Sequence, residues 1–563
     1  MTSNGRFGGS IDITAQRERG FAELERTEFD ALIIGGGIVG TGIARDLALR
    51  GLRVALVEQR DLASGTSSRP TRLIHGGLRY LEMFDFGLVR TDMREREVLL
   101  RLAPHLVQPL RFLMPMYGRG VLYRAKLQAG MQLYDALSFD KSLPTRQWLN
   151  RRQVLRAEPG LNPADLQGAW QFYDGQVSLV ERLVIENALD ASLEGAVIAT
   201  HASATTFVRD ELGVVRGALV RDGMSGREVR VQARLTINAT GPWLDMTTAG
   251  LRRGRRPLLR LTKGVHLVVP SATRHAHVLF ARNDGRLFFV IPWLGYSLVG
   301  TTDTDFHGDP AEAAATQEDV DYLVEEARRA FPNGQFDRIH YTYAGVRALV
   351  RVESTSTGKV SRKHALHDHS QREGIEGIVS VVGGKVTGYR AIAEEVGELV
   401  ARKLGQTDDR GSITQQRPLP GGHLDDVDAY VEQQLWPRAS QLGLDHAQAQ
   451  HLGRVYGSLA PRVLQLAEQD PGLTERVCPE QPGILAELAR CVRDEWAVSL
   501  GDVLLRRTPI GLHACQALNC LDRIAERMAY LVGWDSAEQA RQVDAYRREI
   551  EPMRRHSAAA TPV

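Results

Sequence analysis

The stretch Phe29-Asp-Ala-Leu-Ile-Ile-Gly-Gly-Gly-Ile-Val-Gly-Thr-Gly-Ile-Ala-Arg-Asp-Leu-Ala-Leu-Arg-Gly-Leu-Arg-Val-Ala-Leu-Val-Glu58 decides the fold. Residues 31–34 form a short apolar run, long enough for a buried strand. Gly35-x-Gly37-x-x-Gly40 follows at once, then a helical period through Ile43 and Leu47 that Gly51 ends. Residues 53–57 read as a second strand, closed by Glu58. These are the parts of a βαβ dinucleotide fingerprint, in register. Gly35 permits the tight turn, Gly37 lets a pyrophosphate approach the backbone, and Gly40 lets the helix pack on the sheet. Ile38 and Val39 open the helix, whose N-terminal N–H groups and partial positive charge face the phosphates. Glu58 can accept hydrogen bonds from a ribose diol and would repel a 2′-phosphate. The expected ligand is an unphosphorylated adenine dinucleotide.

Outward from this unit, the 563-residue chain is long enough for more than one domain. Its formal net charge of +2 gives no electrostatic argument for nucleic acid. Cys478, Cys491, Cys515 and Cys520 are too few for a disulfide framework and fit a reducing compartment. Cys515 and Cys520 have no second ligand pair at metal spacing, so no metal is expected and the pair reads as helical. No run of about 18 apolar residues is present, and the first 28 residues lack a signal-peptide core.

The loop after Glu58, with Thr66, Ser67 and Ser68, is expected to lie over the dinucleotide. His75-Gly-Gly-Leu-Arg-Tyr80 gathers an imidazole, a guanidinium and a phenol beside two glycines; it reads as a surface loop or as backbone held against a ligand. Residues 84–106 suggest a helix with a charged face. Within 111–137, Tyr123, Leu127, Met131, Tyr134 and Leu137 recur at helical spacing beside Arg119, Arg124 and Lys126. Such a stripe suits an ordinary core helix or one lying on a membrane surface.

Residues 148–167 look irregular, 168–177 strand-like and 179–194 helical. Short strands and turns fill most of 197–302, and the strand 235–243 ends in Thr240-Gly241. The expected fold is α/β: a Rossmann-like βαβ dinucleotide domain over 29–414 with an inserted antiparallel-sheet substrate domain, roughly 100–350. A loosely ordered extension (1–28) should precede it. A linker (415–422), an all-helical domain (423–551) and a disordered tail (552–563) should follow. Residues 378–390 repeat the pattern of strand, paired glycines Gly383 and Gly384, and helix, a second anion-friendly site.

From Phe29 to Glu551 the sequence resembles the FAD-dependent glycerol-3-phosphate dehydrogenases. The carriers are the fingerprint, Thr66-Ser-Ser68, Leu73-Ile-His-Gly-Gly-Leu-Arg-Tyr-Leu-Glu82, Asn238-Ala-Thr-Gly-Pro-Trp243, Lys263-Gly-Val-His266, Gly300-Thr-Thr-Asp303, Gly345-Val-Arg347, Gly383-Gly-Lys-Val-Thr387 and Leu504-Leu-Arg-Arg-Thr508. The resemblance implies FAD, held non-covalently, and oxidation of glycerol 3-phosphate at C2. It places Arg79, Tyr80, Arg347, Lys385 and Thr387 on the substrate side of the flavin. A phosphate with nearly two negative charges needs forked cationic donors, for which Arg79, Arg347, Arg362 and Lys385 are candidates. His75 and His266 are the candidate bases. Gly241, Gly383 and Gly384 are expected at the flavin, the latter two donating N–H groups to the reduced ring.

Departures from the family pattern are Arg69-Pro70, Ala348 after Arg347, Arg351-Val352 and Gly388; Arg351 is expected to add positive charge near the site. The resemblance further implies a membrane quinone as acceptor, with oxygen as the alternative. The short 415–422 segment favours the quinone. The stripe then becomes a contact with the anionic inner face of the cell membrane, the chain being cytoplasmic and peripheral. A homodimer stays open. An oxidase releasing peroxide, a flavin-fold binding module and an amine oxidase are the competing classes.

Overall fold

The structure is a computed structural model that describes residues 12–77, 85–118, 121–351, 363–406 and 411–558, with the side chains of 121–127 excepted. The fingerprint strand Glu28–Ile34 lies inside an eight-stranded sheet. It pairs in parallel with Val54–Val57 on one side and Glu228–Asn238 on the other. Ile378–Val382 adds a further parallel strand. Ala31 to Ile34 are buried on both faces, which is why this run is uniformly apolar where an antiparallel strand would alternate. The helix Ile38–Leu49 packs beneath, between the helices Val180–Leu193 and Tyr389–Leu404.

From residue 12 onward the expected loose extension is ordered. Ile13–Arg26 is a helix capped by Asp12, whose carboxylate accepts from the Ala15 N–H at 2.8 Å. Phe21 and Leu24 are buried in the apolar cluster of the nucleotide sheet; burial of each such side chain contributes about 1.5–3 kcal/mol. Arg17 fastens the helix by donating to Asp222 at 2.8 Å and to the His201 carbonyl at 2.9 Å. The sequence signal was weak because only Phe21 and Leu24 are buried, with Ile13 partly packed.

The second sheet has ten strands and is antiparallel except where Ala276–Phe280 runs parallel to Val107–Tyr117. Its strands come from both sides of the 197–238 segment, whose own strands belong to the nucleotide sheet. The expected insertion over 100–350 is therefore two excursions, separated by a return to the first sheet. Residues 151–157, expected to be irregular, form a helix with an Asn150–Gln153 capping box.

The C-terminal region is helical, and its apolar residues share one core cluster with Phe112, Met114 and Val268 of the second sheet. Neither end of it is loose. In the 415–422 segment Leu419 is fully buried, and Arg45 donates to the Arg417 carbonyl at 2.8 Å. The last helix runs Ser536–Arg554, and the Ala558 N–H reaches the Ile339 carbonyl at 2.9 Å. All four cysteines are free; Cys515 and Cys520 stand in turns and a short 3-10 segment, not in a helix. No described helix is long and apolar enough to cross a membrane.

The residues of the expected membrane stripe fall on Val121–Leu137. Met131 and Tyr134 point inward, 2 % and 4 % exposed, and Tyr134 donates its hydroxyl to Asp174 at 2.7 Å. The described part of the stripe thus faces the core, with Leu137 packed partly against it, and the outer face of the same helix carries Leu133. Arg119 and the side chains of Tyr123, Arg124, Lys126 and Leu127 lie outside the described residues.

Candidate active site

A cavity of about 460 Å³ runs between the two sheets. Its walls include Glu58 and residues 202–204, Gly35, Gly37, Ile38, Val39 and Gly241, and Gly383, Gly384 and Lys385. Glu58 accepts from the Gly36 N–H at 2.7 Å through one oxygen and from the Arg60 N–H at 2.9 Å through the other. Each oxygen keeps a lone pair for a ribose hydroxyl.

The helix N-terminus is partly occupied from within, since the Ile38 N–H donates to the Ser67 hydroxyl at 3.0 Å. Thr66 lines the cavity too, and its hydroxyl donates to the Val346 carbonyl at 2.7 Å, joining the loop to the second sheet. Ser68 turns away and bonds the Ala63 carbonyl, so it is not a cofactor contact in this geometry. Gly40 does not line the cavity; it supports it by packing against Gly35.

Strand register explains the opposite wall. Leu259–Pro270 and Tyr341–Val350 run antiparallel with Thr262 opposite Arg347, Gly264 opposite Gly345 and His266 opposite Tyr343. Alternation puts these six residues on one face. The two glycines bare the sheet between Arg347 and His266, and the side chains of Arg347 and Arg69 lie over them. A Cβ on Gly264 would stand 2.0 Å from an Arg347 terminal nitrogen, so the guanidinium lies across the place a side chain would take. Arg347 is held there by the Thr301 hydroxyl at 2.8 Å and by the Thr302 carbonyl and Asp303 carboxylate, each at 3.2 Å.

His266 is buried and stacks on Tyr343 with ring centroids 4.9 Å apart. Its Nε2 meets the Thr71 hydroxyl at 3.0 Å, and its Nδ1 has no hydrogen-bond partner. Burial first, then the charges of Arg347 and Arg72, hold it well below the usual histidine range. It is neutral at ordinary pH.

His75 lines the cavity as well; its backbone N–H donates to the buried Thr387 hydroxyl at 3.2 Å, and its ring meets Phe289 edge-on. Lys385 forms a 2.5 Å ion pair with Asp92, so part of its charge is already compensated. Burial lifts Asp92 to about 6 against the pull of Lys385. The Gly383–Gly384 turn does not open the next helix directly. Both glycines have positive φ, the chain bends through 385–388, and the helix starts at Tyr389.

Arg79, Tyr80 and Arg362 lie outside the described residues. Arg351 is exposed, donates to the Leu259 carbonyl at 3.1 Å and does not line the cavity, so the charge expected from it near the site is not there. Arg69 was missed as a site cation: it lines the cavity, and burial lowers its proton affinity. The signal was the close approach of its Cβ carbon to Gly345, 2.9 Å from where a Cβ would be, which only the folded chain reveals.

Residues 30–400 match the family model described as FAD dependent oxidoreductase, and 412–539 match the C-terminal domain of alpha-glycerophosphate oxidase. A glycerol-3-phosphate dehydrogenase of Synechocystis sp. is 38% identical over 95% of this chain and 98% of its own length. An aerobic glycerol-3-phosphate dehydrogenase of Staphylococcus saprophyticus is 34% identical over 96% of each chain. The structure of the glycerol-3-phosphate dehydrogenase from Bacillus halodurans, complexed with FAD, superposes with a TM-score of 0.78 at 28% identity, covering 96% of this chain and 97% of that one.

Proposed function

Because the chain belongs to the family of FAD-dependent glycerol-3-phosphate dehydrogenases, we propose that it oxidises sn-glycerol 3-phosphate to dihydroxyacetone phosphate and passes the electrons to a membrane quinone. FAD is the cofactor, and the fingerprint cavity fits it: a side chain on Gly35 would stand 2.6 Å from the Ala239 carbonyl oxygen, so only glycine makes this turn at the cavity wall, and both oxygens of Glu58 keep a lone pair for a ribose. Its isoalloxazine ring supplies the acceptor for the hydride leaving C2. Glu58, Gly35, Gly37, Gly241, Gly383 and Gly384 would hold it.

The observation that carries the substrate reading is Arg347 laid over Gly264, in one cavity with Arg69 and Lys385. A dianionic phosphate there meets a preorganised fork. The phosphate also offsets the positive charge that depresses His266. The smaller, electrostatic part of the depression is thereby relieved, and His266, which lines the cavity, is the base proposed for the C2 hydroxyl. His75 is the second imidazole on the wall and the alternative base.

Anaerobic addition of glycerol 3-phosphate to the purified protein should bleach the flavin absorbance. Arg347→Ala should lower kcat/KM roughly 10- to 100-fold with FAD retained, since a charge-assisted hydrogen bond is worth about 1.5–3 kcal/mol. His266→Asn should slow bleaching more than it weakens binding. No bleaching by the parent would end the substrate reading, and parent-like kinetics in Arg347→Ala would remove this arginine from the site.

The quinone reading is supported by relatives named as dehydrogenases that the chain matches over nearly their full length. Membrane contact falls to the outer face near Leu133 and Phe139, 37 % and 78 % exposed. Phe139→Ser should lower reduction of a quinone embedded in anionic vesicles while a soluble acceptor is reduced at the parent rate. Peroxide formed in place of reduced quinone would assign oxygen as the acceptor.

A further inference from the structure

Away from the cavity, the edge strand Ala365–Asp368 passes without a loop into the short helix His369–Glu373. The join brings three donors together. His369 and Glu373 are four residues apart on one helix face, and His367 comes from the strand two residues earlier. His367 Nε2 lies 2.9 and 3.0 Å from the two Glu373 oxygens, and His369 Nδ1 lies 3.3 Å from Oε2. Their candidate ligand atoms all fall within 4.8 Å of one another.

We infer that His367, His369 and Glu373 form a binding site for a divalent transition-metal ion of the zinc type. His369 is fully buried; its Nε2 meets the Ser380 hydroxyl at 2.8 Å, and its Nδ1 faces Glu373 without making a hydrogen bond. A buried imidazole nitrogen left bare beside a carboxylate oxygen is a costly arrangement that a shared cation relieves. The two rings meet edge-on at 75°, 4.6 Å between centroids. Two ligand atoms about 2.0–2.2 Å from a tetrahedral zinc stand roughly 3.3 Å apart, close to the His369–Glu373 separation.

Supporting contacts of the usual kind are present. Ser380 sets the His369 ring, and the Arg252 Nε donates to Glu373 Oε1 at 3.1 Å. Arg252 leaves Oε2 as the oxygen nearest both imidazoles, while its positive charge weakens cation binding. The affinity expected is therefore micromolar, below that of a closed structural zinc site. His367 is partly exposed, which gives the ion an entry and leaves room for water as a fourth ligand. The spacing His-x-His-x3-Glu is visible in the sequence but spans a strand-to-helix junction, so only the fold aligns the donors.

The test uses tag-free, FAD-loaded protein freed of metal by a chelator. Zinc is then titrated in competition with a chromophoric chelator, and cobalt is added separately to read its visible ligand-field bands. The parent should bind one zinc per chain and show the cobalt bands. His367→Ala and Glu373→Gln should each weaken zinc at least tenfold and lose the bands, with FAD content unchanged. His446→Ala, which removes an exposed imidazole paired to Glu432, should behave as the parent. Absence of a stoichiometric zinc in the parent, or binding unaltered in both His367→Ala and Glu373→Gln, overturns the site.

Discussion

Gly40→Ala protein should be purified without stoichiometric FAD. The added Cβ would stand 1.9 Å from the Gly35 carbonyl oxygen, whereas real Cβ atoms essentially never approach within 3.0 Å. A movement on the order of 1 Å is needed, and neither side can supply it cheaply. Gly35 is fixed by its N–H donating to the Val57 carbonyl at 2.9 Å and is bounded on its far side by Ala239. Gly40 sits in a helix buried between two others. The turn must open, and its alignment with the pyrophosphate goes with it. Loss of the cofactor also removes the stabilisation that binding contributes. The control is Gly20→Ala, in a helix with nothing within 4 Å of the new methyl; it should keep FAD and gain roughly 0.5–1 kcal/mol of helix stability. One FAD per chain with the parent's absorption spectrum in Gly40→Ala would show that the turn tolerates the methyl.

Asp61→Ala should cost about 3–5 kcal/mol, because it leaves buried charge uncompensated. Asp61 is 1 % exposed and accepts from both Arg506, at 2.5 Å, and Arg507. Arg506 would retain Asp502 and Glu549. Arg507, fully buried, would keep its hydrogen bonds to the carbonyls of Glu495 and Asp502 and the nearby charge of the Asp502 carboxylate, but would lose its carboxylate hydrogen bond. The pair belongs to the Leu504-Leu-Arg-Arg-Thr508 segment, so the loss falls where the helical region meets the loop after Glu58. The denaturation midpoint should drop by several degrees, with Asp61→Asn intermediate. A midpoint equal to the parent's would mean that water or a rearranged partner satisfies both guanidinium groups. Burial raises Asp502 but His201, Arg506 and Arg507 outweigh it and hold the carboxyl well below its usual range. Its contribution is thus complete above the ordinary carboxylate range and is lost only as pH falls through the depressed folded value.

The nucleotide half of the molecule was legible in the sequence because its chemistry is local. Residues 31–58 place the turn, the helix and the acid within one βαβ unit, and the close packing of Gly40 on Gly35 lies inside it. Arg347, Lys385, His75, His266 and Thr387 were also found, by residue type within motifs that resemble a family. Their condition was not legible. That Lys385 is paired to Asp92 and that His266 is stripped of solvent depend on contacts across tens to hundreds of residues.

Periodicity told which residues of 121–137 share a face but not which medium that face meets; Met131 and Tyr134 would look the same against lipid or core. The N-terminal helix and the 415–422 segment were underestimated for a related reason: each is held by partners supplied by distant strands and helices. The sequence by itself determined the cofactor fold and the class of chemistry, and it named Arg347 and Lys385 but not Arg69 among the cations that line the cavity. Only the tertiary structure decided where those charges stand, since Arg347 and Arg69 can lie over the sheet only because two strands set Gly264 opposite Gly345. Register of that kind is a property of pairing between segments some eighty residues apart, and no local pattern encodes it.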